Sequence, residues 1–210
     1  MAQKLPGLLV VLSGPSGVGK STVAAKLMQR PDYVRSISAT TRARRGSERE
    51  GVDYQYVSRQ TFEDLVQRGE LIEYAQVHGN YYGTPKEPLR RAMALGQVML
   101  MVIDVNGGAQ IKAKELDALL VFLLPPDKGE LARRLQERET EDVKQQTQRL
   151  QAADIEIHRA HDLYDKLIVN KDLEKCVEEV HAAVQNARRA LQDRRNAGEQ
   201  LYPGLKPQPE

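Results

Sequence analysis

The stretch "GPSGVGKS", Gly14 to Ser21, fits the pattern G-x-x-x-x-G-K-[ST], and no other part of the chain restricts the fold as far. It follows "LLVVL" (8–12), a continuous apolar run between Pro6-Gly7 and Ser13-Gly14 that suits a strand buried on both faces. "STVAAKLMQR" (21–30) comes next, helical in character and stopped at Pro31. A strand, a glycine-rich loop and a helix in that order turn several backbone N–H groups toward phosphate oxygens, and the helix N-terminus adds partial positive charge. The loop is then Gly14, Pro15, Ser16, Gly17, Val18 and Gly19. Lys20 bridges β- and γ-phosphates, the Ser21 hydroxyl is a ligand for Mg²⁺, and Thr22 lies beside it. A glycine turn with a surface lysine would match the spacing but not the flanking strand and helix. The motif implies a nucleoside triphosphate binder.

Further apolar runs, "VMLMVID" (98–104), "ALLVFLL" (118–124) and "KLIVN" (166–170), alternate with helical stretches such as "PKEPLRRAMALG". That rhythm predicts an α/β fold built on a doubly wound parallel sheet. After the strand candidate "YVRSISAT" (33–40), two segments break the rhythm and read as insertions: 38–83, with the strand candidates "YQYVSR" and "LIEYAQVHG", and the charged helical stretch 127–163, interrupted near Glu139-Thr140. "LYPGLKPQPE" at the end reads as a tail without fixed structure. With 31 basic and 29 acidic residues the net charge is +2, far from a general nucleic-acid binder. One cysteine, Cys176, excludes an internal disulfide, and the N-terminal apolar run is too short to span a bilayer. A cytoplasmic protein with no nucleic-acid or membrane partner is expected.

"SATTRARRGSEREGVDY" (38–54) sets four arginines against Glu48, Glu50 and Asp53, too balanced for a nucleic-acid patch but suited to a phosphate pocket, since guanidinium forks match phosphate oxygens. Asp104 ends "MVID" at the C-terminal edge of a predicted strand, where ligands of open α/β sheets sit. A turn aspartate before Asn106-Gly107-Gly108 is the competing explanation.

Taken in order from Leu8 to Leu173, "SGPSGVGKST", "SATTRARRGSEREGVDY", "LIEYAQVHGNYYGTP", "VIDVNGG", "LPP", "RRLQER" and "KLIVN" resemble the guanylate kinase family. The resemblance implies transfer of the γ-phosphoryl group of ATP to GMP with Mg²⁺, in a fold of core, GMP-binding lobe and lid. The expected division is core at 1–37, 89–125 and 159–193, GMP lobe at 38–88, lid at 126–158 and a free tail at 194–210. It further implies that Arg42 and Arg45 clamp the GMP phosphate, with Tyr54 and Tyr82 completing the clamp. Ser38, Glu73 and Thr84 read the guanine, and Asp104 serves the GMP side. Arg134, Arg138 and Arg149 cover the ATP phosphates from the lid, and Asn170 contacts the adenine. Lys20, Arg45, Arg134 and Arg149 are the residues expected to carry catalysis. dGMP and the oligomeric state are left open.

Three departures from the family pattern stand out: Val102 where a second acid is common, Asn106 where glutamine is usual, and Glu139 where glycine is. Arg44 and Arg49 match no clamp position and are read as surface charge, as are His158 and His161. Cys176 is read as a core filler. The alternatives are a related phosphopeptide-binding module without catalysis, a kinase of a phosphorylated sugar and an RNA-binding ATPase. The first need not keep Lys20-Ser21, the second has no use for Ser38, Glu73 and Thr84 together, and the third does not fit the charge balance.

Overall fold

The computed structural model describes residues 4–77, 79–114, 116–136, 143–202 and 205. β1 (Leu8–Ser13) is buried along its whole length because both of its faces are covered. Its odd and even positions feed different cores. Leu8, Val10 and Leu12 meet Val23 and Leu27 of α1 (Lys20–Leu27) and Val177, Val180 and Val184 of α7 (Leu173–Asn196). Leu9 and Val11 meet Leu89 of α3 (Lys86–Ala94), Ile111 of α4 (Val105–Ala113) and Ala160 of α6 (Val143–Leu163). This alternation is why the run reads as uninterrupted apolar sequence.

β1 pairs in parallel with β7 (Val98–Val102) and β8 (Ala118–Leu124). β2 (Tyr33–Arg35) and β9 (Lys166–Val169) complete a parallel sheet of order β2-β7-β1-β8-β9 with helices on both faces. This is the doubly wound α/β class predicted from the sequence.

A second sheet of order β4-β3-β6-β5 contains β3 (Ala39–Thr40), β4 (Gln55–Tyr56), β5 (Leu71–Val77) and β6 (Asn80–Pro85). α2 (Arg59–Gln67), capped by Ser58, drops Phe62 against Ala39 and Leu71 beneath this sheet. The single strand predicted at 33–40 is therefore two: β2 lies in the core sheet, and β3 pairs with β6 and β4 in the other. The helix predicted after "FLL" appears as α5 (Lys128–Gln136) and α6, with 137–142 outside the described residues.

The tail expectation is corrected. α7 runs to Asn196, Leu201 and Tyr202 pack against the core, and Leu205 is buried. The Tyr202 hydroxyl donates to Gly7 O at 2.5 Å, and Arg90 Nε donates to Leu205 O at 3.1 Å. Proline-rich composition argued for disorder, yet Leu201, Tyr202 and Leu205 still pack against the core. Residues 203–204 and 206–210 lie outside the described set.

Candidate active site

The loop between β1 and α1 sits at the C-terminal edge of the parallel sheet. Its curvature depends on glycine at two points in particular. Gly19 has φ +101, and a Cβ there would come 2.5 Å from Asn170 Nδ2. Gly17 has φ +84 with Leu135 Cδ2 3.0 Å from where its Cβ would stand. Lys20 Nζ donates to Gly14 O at 2.5 Å and to Pro15 O at 3.0 Å, which holds the ammonium over the loop. Ser21 and Thr22 open the first turn of α1 with exposed side chains.

Three groups from distant sequence hold or reach this loop. Asn170, at the end of β9, is buried and donates from Nδ2 to Val18 O at 2.8 Å. Arg134 of α5 donates to Val18 O and to Asn170 O, both at 3.3 Å, and Glu130 orients it by accepting from Nε at 2.7 Å. The Arg133 and Arg134 guanidiniums hold the Glu130 carboxyl down at about 2. Arg149 of α6 donates to Ser16 Oγ at 3.2 Å. Arg138 lies outside the described residues. One N–H of the Asn170 amide therefore braces the loop, leaving its second N–H and its Oδ1 for other partners.

Across the sheet edge, a cavity of about 320 Å³ is lined by Ser38, Tyr54, Glu73, Tyr82, Val102 and Asp104, among others. Five of these were expected in one acceptor pocket, though they come from five separate stretches of chain. Glu73 lies on β5 and is only 6% exposed, although the period-2 alternation of a strand would put an acid on the solvent face. Its Oε1 accepts from Thr84 Oγ1 at 2.6 Å, and Thr84 lies 3.3 Å from Ser38 Oγ. Burial, assisted by the Asp104 charge, raises the Glu73 carboxyl above the usual carboxylate range, while the Thr84 bond lowers it. Two larger grooves, one walled by Arg68 and Arg91 and the other by Lys4 and Tyr202, contain none of the expected residues.

Against Tyr54 of this cavity, the Arg42 guanidinium lies 5.4 Å over the ring, and Tyr54 meets Tyr82 edge-on at 5.9 Å. Arg45 is exposed, and its guanidinium makes no bond among the described residues. Glu48 organises both arginines. Its carboxylate accepts from Arg42 Nη2 at 2.7 Å and Nη1 at 3.1 Å, from the Arg45 backbone N–H at 2.8 Å and from Tyr56 OH at 2.7 Å. Those donors, Arg42 first, hold its carboxyl at about 2. Sequence reading passed over Glu48 because it was counted only as a compensating charge. Its place six residues beyond Arg42, inside the arginine loop, was the available signal.

Asp104 caps α4: its Oδ1 accepts from Gly107 N at 2.8 Å, and its other oxygen accepts no hydrogen bond among the described residues. The turn that "NGG" suggested is thus the first turn of a helix. Val102 lines the same cavity without any charge. Of the residues read as surface charge or core filler, Arg44, Arg49, His158 and His161 are exposed and Cys176 is buried; Tyr81, beside Tyr82, stacks on Phe62 at 5.3 Å. Among the described residues no group of three or more His, Cys, Asp or Glu side chains is placed to hold a metal ion, and no helix is long and apolar enough to cross a membrane.

Known proteins resemble this chain along most of its length. A family model described as guanylate kinase matches residues 7–187. A guanylate kinase of Anaeromyxobacter dehalogenans is 48% identical over 188 residues, covering 89% of this chain and 83% of the relative. One of Myxococcus xanthus is 46% identical over 180 residues, covering 85% and 86%. The crystal structure of guanylate kinase from Anaplasma phagocytophilum superimposes with a TM-score of 0.69 at 34% identity, covering 89% of this chain and 88% of that one. With the family model spanning most of the sequence and relatives this similar along nearly their full length, the chain belongs to the guanylate kinase family.

Proposed function

We infer that this protein transfers the γ-phosphoryl group of ATP to GMP, giving ADP and GDP. The observation that carries the acceptor is the hydrogen-bonded set Ser38–Thr84–Glu73, with Thr84 and Glu73 buried, in a cavity lined by Ser38, Glu73 and Tyr54, and with Arg42 over the Tyr54 ring. A carboxylate there accepts from guanine N1–H and the 2-amino group, and adenine lacks that donor pair. A buried acceptor left facing the wrong base is costly, so discrimination is strong.

The acceptor phosphate lies, in this reading, against Arg42, Arg45, Tyr54 and Tyr82, with Glu48 fixing the direction of the Arg42 fork. The donor phosphates lie in the loop Gly14–Gly19 with Lys20, Ser21 and Thr22. Arg134 and Arg149 supply charge from the side of α5 and α6, as a loose phosphoryl-transfer transition state requires. No general base is needed, because the GMP phosphate is already an anionic nucleophile. Residues 38–88 form the acceptor lobe and 126–158 the lid, and their closure would exclude water that competes as acceptor.

Oxygen donors suit Mg²⁺, and this edge offers them: the Ser21 hydroxyl and the open oxygen of Asp104. Magnesium supplies neutralisation of the phosphate charge when bound. Ser21 would hold it, with Asp104 orienting its shell or the GMP ribose side.

ADP formation from Mg²⁺–ATP with a panel of GMP, dGMP, AMP, UMP and ribose phosphates tests the reading. GMP-dependent turnover is the expected result. Turnover only with a sugar phosphate, or with none of the panel, refutes it and favours the sugar-kinase or binding-module alternative.

A further inference from the structure

Glu156 has no role in the site as described so far, yet α6 brings it there. Along this helix Arg149, Ala153, Glu156 and Ala160 recur at spacings of three and four, so they share one face, and Tyr164 follows directly after its end. That face points inward. Ala153 is buried against Leu131 and Leu135, and Ala160 and Tyr164 are buried with Val105 and Ile111. Arg149, one end of the stripe, reaches Ser16 of the phosphate loop. Glu156 is half-buried between the two packed alanines, and the charges acting on it are Lys20, Asp104 and Arg159. Arg159 is itself turned to Asn106 Oδ1 at 2.9 Å.

One residue just past α6, Tyr164, is buried with a polar atom to satisfy. Tyr164 is 7% exposed, with its ring edge-on to Phe122 at 5.1 Å. Its hydroxyl finds no hydrogen-bond partner among the described residues. Ser13 donates to Ile103 O at 2.8 Å. Gly108, in the first turn of α4, makes room for this phenol, since a Cβ there would lie 2.1 Å from the Tyr164 oxygen. A buried hydroxyl without a partner is costly unless water or a ligand reaches it. Mg²⁺ keeps several waters and is held by one or two carboxylates besides phosphates. Asp104 offers one open oxygen, and Val102 on the neighbouring strand offers none.

We propose that Glu156 is the second carboxylate of the transfer site, a positioning residue on α6 that orders the hydration shell of the nucleotide-bound Mg²⁺ together with Asp104 and the Tyr164 hydroxyl. Because it shares a helix face with Arg149, the same element that brings an arginine to the phosphate loop also brings the carboxylate to the metal. The inference rests on the kinase reading above.

Its test reads metal binding rather than turnover. Mn²⁺ is titrated into the full chain with the non-hydrolysable β,γ-imido analogue of ATP, and free Mn²⁺ is followed by electron paramagnetic resonance. Glu156→Gln is expected to weaken Mn²⁺ binding to the nucleotide complex about tenfold, as loss of an outer-shell partner does. Glu156→Asp should recover part of that loss, and the metal-free affinity for the analogue should stay within twofold of wild type. A Glu156→Gln protein that binds Mn²⁺ within twofold of wild type overturns the inference while leaving the kinase reading intact. Equal loss of analogue affinity with and without metal overturns it too, since the role would then be structural. A wild-type complex that binds no Mn²⁺ would remove both.

Discussion

Glu73→Gln separates reading of the base from mere burial of an acid. Guanine would present two donors, N1–H and the 2-amino group, to one carboxylate. A bond to a charged acceptor contributes about 1.5–3 kcal/mol. The glutamine amide keeps one acceptor, which Thr84 already engages in the native protein at 2.6 Å, and sets an N–H₂ against the second guanine donor. Losing one charge-assisted bond and opposing two donors costs about 2–4 kcal/mol in kcat/KM for GMP, roughly 30- to 700-fold. AMP, with an acceptor at N1 and a donor at its 6-amino group, matches the amide better, so the GMP-to-AMP preference should collapse by more than tenfold. Initial rates of ADP formation with each nucleotide measure this.

Stability moves the other way. Burial raises the Glu73 carboxyl above its unfolded value, so the folded state binds that proton more tightly. The native protein therefore loses stability as pH rises through the folded pKa, and the amide variant should lack that slope. Its unfolding midpoint at pH 8 should be no lower than wild type. An unchanged GMP-to-AMP preference, with or without a change in midpoint, would refute the assignment of Glu73 to the base.

Asn170→Ala removes the Nδ2 bond to Val18 O, which costs about 1–2 kcal/mol and should raise the ATP KM roughly 5- to 30-fold while GMP affinity stays within twofold, by calorimetric titration of each. Glu48→Gln releases the Arg42 fork and should raise the GMP KM about tenfold, a partial loss of one charge-assisted contact. Since the Glu48 carboxyl lies at about 2 in the fold against 4.5 unfolded, its stabilisation is present above pH 4.5 and lost as pH falls toward 2. The variant should accordingly show a flatter acid limb in unfolding followed by circular dichroism. Truncation after Gln200 strips Tyr202 and Leu205 from the core and should cost about 2–5 kcal/mol in denaturant unfolding, whereas an unchanged midpoint would show the strap to be dispensable.

The phosphate loop was legible because three independent signals agreed on it: an apolar strand, a glycine pattern and a helix start. The arginine loop could be read as a phosphate pocket from its charge balance, but not that Glu48 would aim Arg42, since that depends on how the loop folds back. α4 was hidden by "DVNGG". Two glycines in a first turn oppose a helix, and here they are accommodated because Asp104 caps it and Tyr164 leaves no room for a side chain at Gly108. β6 escaped because "NYYGT" has no apolar alternation, and its pairing with β3 and β5 is wholly tertiary. Glu73 showed the limit of period-2 reasoning most clearly: a strand lining a cavity buries a polar residue that alternation assigns to solvent. For Glu156 the helical spacing was visible, but which face pointed inward was not.

The central claim, direct transfer between two nucleotides, is tested most closely by mixing γ-³²P-labelled ATP with the protein, Mg²⁺ and GMP and resolving the products by chromatography after a single turnover. Label recovered in GDP, and only when GMP is present, is the result these sites demand. Label in inorganic phosphate, or retained on the protein, would contradict them.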